Sequence, residues 1–324
     1  MPVLVFVCLV VAAALFSAEA RAEYPDRPIT VWVTYAPGGS LDMTTRAISA
    51  VAAKILGQPM IVENKAGGGG TVALALIANA KPDGYTLCSG TDSGIVRAPQ
   101  LQKVTYKPLK SFTPLVAYAA VQNAIVVKKE APWKNLKELL DYAKKNPNKV
   151  KYSSGGVGTG MHHAMVLLEV KEGIKWIHVP YKGNADAMTA LMGGHVDVCS
   201  AGPEIYPFER AGSVRILAIA ETRRNPNYPD IPTMKELGYD FANDAFFTIV
   251  GPAGLPADVA RKIENAFVKA ADSKEVKAVI EKLDLLPVLY VGKEYDDHLK
   301  SYWVRMEKSL KETGLIKEPA TSPY

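Results

Sequence analysis

The sequence predicts a two-lobed α/β protein with a ligand cleft between the lobes, and three observations predict it. From Ile29 onward, apolar strand patterns alternate with helical ones. Two strands run straight into glycine-rich turns that open helices, at Tyr35-Ala36-Pro37-Gly38-Gly39-Ser40-Leu41-Asp42 and at Ser154-Gly155-Gly156-Val157-Gly158-Thr159-Gly160. The closing segment is too small for a core of its own, so it must pack back on the first lobe. The chain then crosses between lobes twice, which makes a hinge.

The elements follow in order. Strand Ile29 to Tyr35 precedes a helix with Leu41, Thr45, Ile48, Val51, Ala52 and Ile55 at three- and four-residue spacing. Strand Met60 to Glu63, a glycine turn, helix Thr71 to Ala80 and strand Tyr85 to Ser89 come next. Strand-helix-strand order implies a parallel sheet covered by helices. A strand from Ala120 to Val127 leads into the second unit, with helix Leu136 to Lys144, strand Lys149 to Ser153 and helix Met161 to Val170. Strand Trp176 to Val179, helix Ala185 to Met192, strand Val196 to Ser200, helix Glu204 to Ala211 and strand Val214 to Ala220 complete it. Strand Phe246 to Val250, helix Ala257 to Ala271 and an amphipathic helix near Lys293 to Thr313 return to the first lobe. The expected division is 23–123 with 244–324 as one lobe and 124–243 as the other, with crossings near Ala120 to Val127 and Asp244 to Val250.

Residues 1–22 read as an export signal, an apolar run from Val3 to Phe16 followed by the cleavage pattern Ala20-Arg21-Ala22. A periplasmic location is expected. The run is short for a membrane span of about 20 residues. Cys8 raises lipidation, against which Val7 is bulkier than the small residue such a site needs. Cys88 and Cys199 lie inside apolar strand patterns of separate lobes and are expected as buried free thiols. With 38 basic against 33 acidic residues the charge is +5, and no basic run with interleaved aromatics indicates nucleic acid.

The glycine turns carry the chemistry. Each leaves backbone amides uncovered at a helix N-terminus, where unpaired N–H groups and the positive dipole end favour a carboxylate. Glycine at such a turn also serves tight geometry alone, and the pair, one per lobe, is what favours a ligand. Neither Tyr35 to Thr45 nor Tyr152 to Val170 contains Lys or Arg, so amides are expected to outweigh cationic side chains. Asp42 either touches ligand or only stabilises the helix dipole. Lys182 is the nearest second-lobe cation in sequence order or a surface charge, and Tyr35 and Tyr181 offer a hydroxyl and a ring or close the core edge.

The segments Pro28-Ile29 with Tyr-x-Pro-Gly-Gly-x-x-Asp, Val62-Glu63-Asn64-Lys65-Ala66-Gly67, Pro82-Asp83-Gly84-Tyr85-Thr86-Leu87 and Pro180-Tyr181-Lys182-Gly183 resemble the substrate-binding proteins of tripartite tricarboxylate transporters, the Bug family. Gly193-Gly194-His195-Val196-Asp197, Pro232-Thr233 with Glu236 and Gly238, and Gly251-Pro252-Ala253-Gly254 extend the resemblance over the mature chain. It implies a type II periplasmic binding protein fold, two mixed sheets covered by helices. It also implies a small carboxylate as ligand and inner-membrane permease subunits as partners, with no cofactor. Carried over by position, the ligand-binding candidates are Tyr35, Ala36, Gly38, Gly39 and Asp42, then Ser154, Gly158, Thr159 and His162, to which Tyr181 and Lys182 are added. A monomer is expected.

Three departures from the family pattern bear on the ligand: Thr91-Asp92-Ser93 with Arg97-Ala98-Pro99, Val166 where Glu is frequent, and Ser200-Ala201-Gly202. Asp92 would repel an anion or greet an amine. Enzyme chemistry finds no motif, since there is no G-x-S-x-G and the glycine runs miss both Rossmann and P-loop spacing. Adjacent His162 and His163 point about 100° apart on a helix, which disfavours a shared metal. The alternatives are a ligand-sensing partner of a membrane kinase, and, less supported, a secreted hydrolase or transferase.

Overall fold

A computed structural model describes residues 23–221, 224–239, 241, 245–312 and 314–324. The expected signal and Cys8 lie outside the described residues, as does Asp244. The chain opens with β1 (Ile29–Val33), α1 (Ser40–Leu56), β2 (Met60–Asn64), α2 (Thr71–Ile77) and β3 (Thr86–Thr91). Two short helices, α3 (Asp92–Val96) and α4 (Ala98–Leu101), precede β4 (Phe112–Ala120). The middle of the chain gives β5 (Ala124–Lys128), α5 (Leu136–Lys145), β6 (Lys151–Ser154), α6 (Gly160–Glu172), β7 (Ile177–Pro180) and α7 (Asn184–Met192). It continues with β8 (Val198–Ala201), a 3-10 turn at Pro203–Ile205, α8 (Tyr206–Arg210) and β9 (Val214–Ile219). The return adds β10 (Phe246–Pro252), α9 (Ala257–Ala271), α10 (Lys274–Lys282), β11 (Leu286–Val291) and α11 (Gly292–Glu312).

The strands form two sheets, ordered β11-β4-β10-β3-β1-β2 and β7-β6-β8-β5-β9. Both are mixed, and the parallel expectation holds only in part. In the first sheet β1 runs parallel to β2 and β3, with Ile29 opposite Met60 and Thr30 opposite Thr86. The returning β10 enters antiparallel between β3 and β4, and β11 adds antiparallel to β4. In the second sheet β6 is parallel to β7 and β8, while β5 is antiparallel to β8 and β9. β10 and β5, the strands that enter from the other sheet, run against the parallel set, and β11 does so at the edge of the first sheet, none of which strand-helix alternation alone reveals.

The strand expected from Ala120 to Val127 is two strands in different sheets, β4 and β5, joined by Val121, Gln122 and Asn123. Val121 N–H donates to the Ala245 carbonyl at 2.8 Å, so the two crossings lie side by side. Apolar residues on both sides concealed the break at Gln122-Asn123.

The cores explain why the pieces assemble. Ile29, Val31, Val33, Ile48 and Leu87 pack in one buried cluster with Ile249, Ile263 and Phe267, so the closing segment shares the first sheet's core. A second cluster joins Val127, Leu139, Tyr152, Leu168, Trp176 and Val198. Each large apolar side chain fully buried in this way contributes about 1.5–3 kcal/mol. Cys88 on β3 and Cys199 on β8 are buried free thiols in different sheets.

Candidate ligand-binding site

The first glycine turn is held by Asp42. Its carboxylate accepts from Gly38 N–H at 3.0 Å, from Arg46 Nε at 3.0 and 3.1 Å, and from Asn64 Nδ2 at 2.9 Å. Burial alone would raise its pKa, but the bonds from Arg46, Gly38 and Asn64 outweigh that and hold it below the ordinary carboxylate value. Asp42 thus braces the turn and ties it to β2. Tyr35 closes the other side, its hydroxyl donating to the Gly69 carbonyl at 3.2 Å and lying 3.2 Å from Thr91 Oγ1.

The second turn is held by Thr159 and a stack of rings. Thr159 Oγ1 accepts from His162 N–H at 3.2 Å, capping α6, and donates to the Gly156 carbonyl at 2.8 Å. His162 Nδ1 accepts from Gly158 N–H at 3.3 Å, and its ring stacks on His178 with centroids 4.5 Å apart. Ser154 Oγ lies 2.7 Å from His178 Nε2. Burial, with the Arg97 cation adding to it, pushes His162 down to about 4, and burial with His162 beside it pushes His178 down to about 3. Both rings are neutral at pH 7, which leaves His162 Nδ1 free to accept. His163 is buried edge-on to Phe241, and no cluster of three metal-ligating side chains occurs among the described residues.

Both turns open on one cavity of about 30 Å³ between the sheets, floored by Val121, Asn123, Ala245 and Phe247. That space holds about one or two waters, whereas an occupied small-molecule site takes about 300–1,000 Å³, so the cleft is closed. Contacts across it show why. Ala36 N–H donates to the Lys182 carbonyl at 3.3 Å, and Ser40 N–H donates to Glu204 Oε1 at 2.6 Å. Glu204 Oε2 in turn accepts from Asn184 Nδ2 at 3.0 Å. Gly69 of the first half abuts Val157 of the second turn.

Of the expected site residues, Tyr35, Ala36, Gly39, Asp42 and Thr159 line the cavity. Gly38, Ser154, Gly158, His162, Tyr181 and Lys182 stand behind it, engaged in shaping the turns or, for the Lys182 side chain, exposed to solvent. Asp92 does not line it either: it is fully buried, accepts from Phe246 N–H at 3.0 Å and faces His298. Burial raises its pKa and His298 offsets part of that. Sequence reasoning missed Ser40, Asn123, Asn184 and Glu204, all of which line the cavity. A lone polar pair, Gln122-Asn123, within an apolar run was the available signal for Asn123.

The family model described as "Tripartite tricarboxylate transporter family receptor" matches residues 44–315. The chain belongs to the tripartite tricarboxylate transporter receptor family. This receptor is 35% identical to a UPF0065 protein from the gbd 5′ region of Cupriavidus necator, over 94% of this chain and 93% of the relative. Its fold is similar to that of the periplasmic binding protein BugD, with TM-score 0.85 and 29% identity over 90% of this chain and 99% of that one. It is also similar to MatC from Rhodopseudomonas palustris with bound malate, with TM-score 0.82 and 30% identity over 88% of this chain and 99% of that one. The receptor's two mixed, helix-covered sheets are thus those of a periplasmic binding protein. The family match starts after the first glycine turn and takes in the second turn and both crossings.

Proposed function

We propose that the mature protein is a periplasmic receptor that captures a small organic carboxylate and delivers it to the membrane permease subunits of a tripartite tricarboxylate transporter. It binds as a monomer, without cofactor or catalysis. Residues 23–123 with 244–324 form one lobe and 124–243 the other, and the crossings at Val121 to Asn123 and near Ala245 are the hinge.

One observation carries this reading. The N-termini of α1 and α6 open on the same cavity, and the first-turn N–H groups of Leu41, Asp42, Gly160 and Met161 have no partner among the described residues. Each helix start presents partial positive charge, and no Lys or Arg among the described residues lines the cavity. The site therefore recognises an anion through oriented amides, in a cleft that must open from this closed form to admit it. The malate bound by the similar MatC agrees with that chemistry.

The test is a thermal-shift and calorimetric panel of mono-, di- and tricarboxylates on the purified protein. A ligand at 100 times its dissociation constant adds about 2.7 kcal/mol of stability and raises the melting temperature visibly. Silence across the whole panel sinks the proposal.

A further inference from the structure

Two polar side chains in the cleft carry hydrogen-bonding capacity that a carboxylate alone does not fill. Asn123, in the first crossing, is fully buried, lines the cavity, and has no hydrogen-bond partner for either Oδ1 or Nδ2 among the described residues. Its backbone is fixed, since its carbonyl accepts from Ala220 N–H at 2.8 Å. A buried amide with both ends unpaired is expensive unless something in the cavity pairs with it. Glu204 lines the same cavity from the other side, with Oε1 on Ser40 N–H and Oε2 on Asn184 Nδ2.

The hydrogen-bond inventory of the cavity then has two parts. Open backbone N–H groups at the two helix starts serve a carboxylate. Asn123 Nδ2 adds one more donor for a carboxylate oxygen, whereas Asn123 Oδ1 is an acceptor with no donor and the Glu204 carboxylate, already accepting from Ser40 and Asn184, can take a further donor but not an anion. A plain diacid offers acceptors only, so it would leave Asn123 Oδ1 unpaired and bring like charge to Glu204. A ligand with a hydroxyl or ammonium on its carbon chain satisfies both.

The geometry points to Asn123 and Glu204 as the residues that set specificity, selecting a carboxylate that carries a hydrogen-bond donor over the unsubstituted acid of the same length. This rests on the carboxylate reading above and refines it. Sites built to hydrogen-bond a substrate hydroxyl or amine discriminate strongly against analogues that lack it, because their own buried groups are then stranded.

Calorimetry on the full mature protein tests it with two matched series: succinate, malate and aspartate, then glutarate, 2-hydroxyglutarate and glutamate. In the better-bound series, at least one substituted acid is expected to bind tenfold or more tightly than its plain parent. Asn123→Leu and Glu204→Gln should each shrink that preference severalfold, read as the ratio of substituted to plain acid, since both residues line the cleft and absolute affinities will shift as well. Leu matches Asn closely in size, and Gln keeps an oxygen for Ser40 N–H; melting curves confirm folding, with Asn123→Ser read if the Leu variant does not fold. Equal or tighter binding of the plain acids, or a preference that survives both substitutions, overturns the assignment. If none of the six binds, this inference falls, while the carboxylate reading is decided separately by the wider panel above.

Discussion

Gly69→Ala should keep each lobe folded and yet prevent the cleft from closing. Gly69 sits at φ +66°, and a Cβ built there lies 2.1 Å from the Val157 carbonyl oxygen of the opposite lobe. Since real Cβ contacts stay above 3.0 Å, the lobes must part by about 0.9 Å at this point. The hydrogen bonds from Ala36 to Lys182 and from Ser40 to Glu204 bridge the same cleft. A neutral bond contributes about 0.5–1.5 kcal/mol and one to a charged group about 1.5–3 kcal/mol. Losing both removes about 2–4 kcal/mol of closure, which weakens ligand binding roughly 30- to 1,000-fold. Gly38→Ala is the control. It lies at φ +83° with nothing within 4 Å of its Cβ, so it suffers the left-handed strain of about 1–2 kcal/mol without the collision. Both variants should melt earlier, and only Gly69→Ala should bind weakly by calorimetry and scatter as an expanded particle when saturated. If the two bind alike, closure does not pass through the Gly69 contact with Val157 and the reasoning is wrong.

Three further outcomes are expected. Lys182→Ala should change ligand affinity less than about twofold by calorimetry, because the side chain is exposed and only the backbone carbonyl meets the first lobe. Thr159→Ala should lower stability to urea by about 1–2 kcal/mol through loss of the cap on α6 and of the bond to Gly156. Stability should also fall as pH drops from 7 to 5, where carboxylates remain ionised. His162 has its folded pKa depressed to about 4 by burial. Below the ordinary value near 6.5 the unfolded chain therefore takes up a proton that the folded chain refuses. That favours the unfolded chain by roughly 2 kcal/mol at pH 5. Denaturation curves for His162→Phe should show a flatter pH dependence, and an unchanged one would remove His162 from this role.

Local order was legible from the chain because it is written locally. The apolar pattern of Ile29 to Val33, the spacing of Leu41, Ile48 and Ala52, and the glycine turns all act within a few residues. The direction of β10 and β11 was not, because their partners in β3 and β4 lie more than 120 residues away in sequence. The same limit hid the cleft's composition. Asp42 and Arg46 form a readable i,i+4 pair, but Asn64, which completes the brace, comes from a neighbouring strand. Glu204 reads as an ordinary acid at a helix start, and only the closed fold brings it to Ser40.

The two thiols of the described residues give the protein a pair of chemical reporters. Cys88 belongs to one sheet and Cys199 to the other, both are fully buried, and burial raises both thiol pKa values, that of Cys199 to about 12. Neither can be alkylated until its own sheet opens, since the reactive species is the solvated thiolate. Labelling rates read peptide by peptide would therefore time the breathing of each half separately, without any introduced probe. They would show whether ligand quiets both halves equally or only the half it meets first.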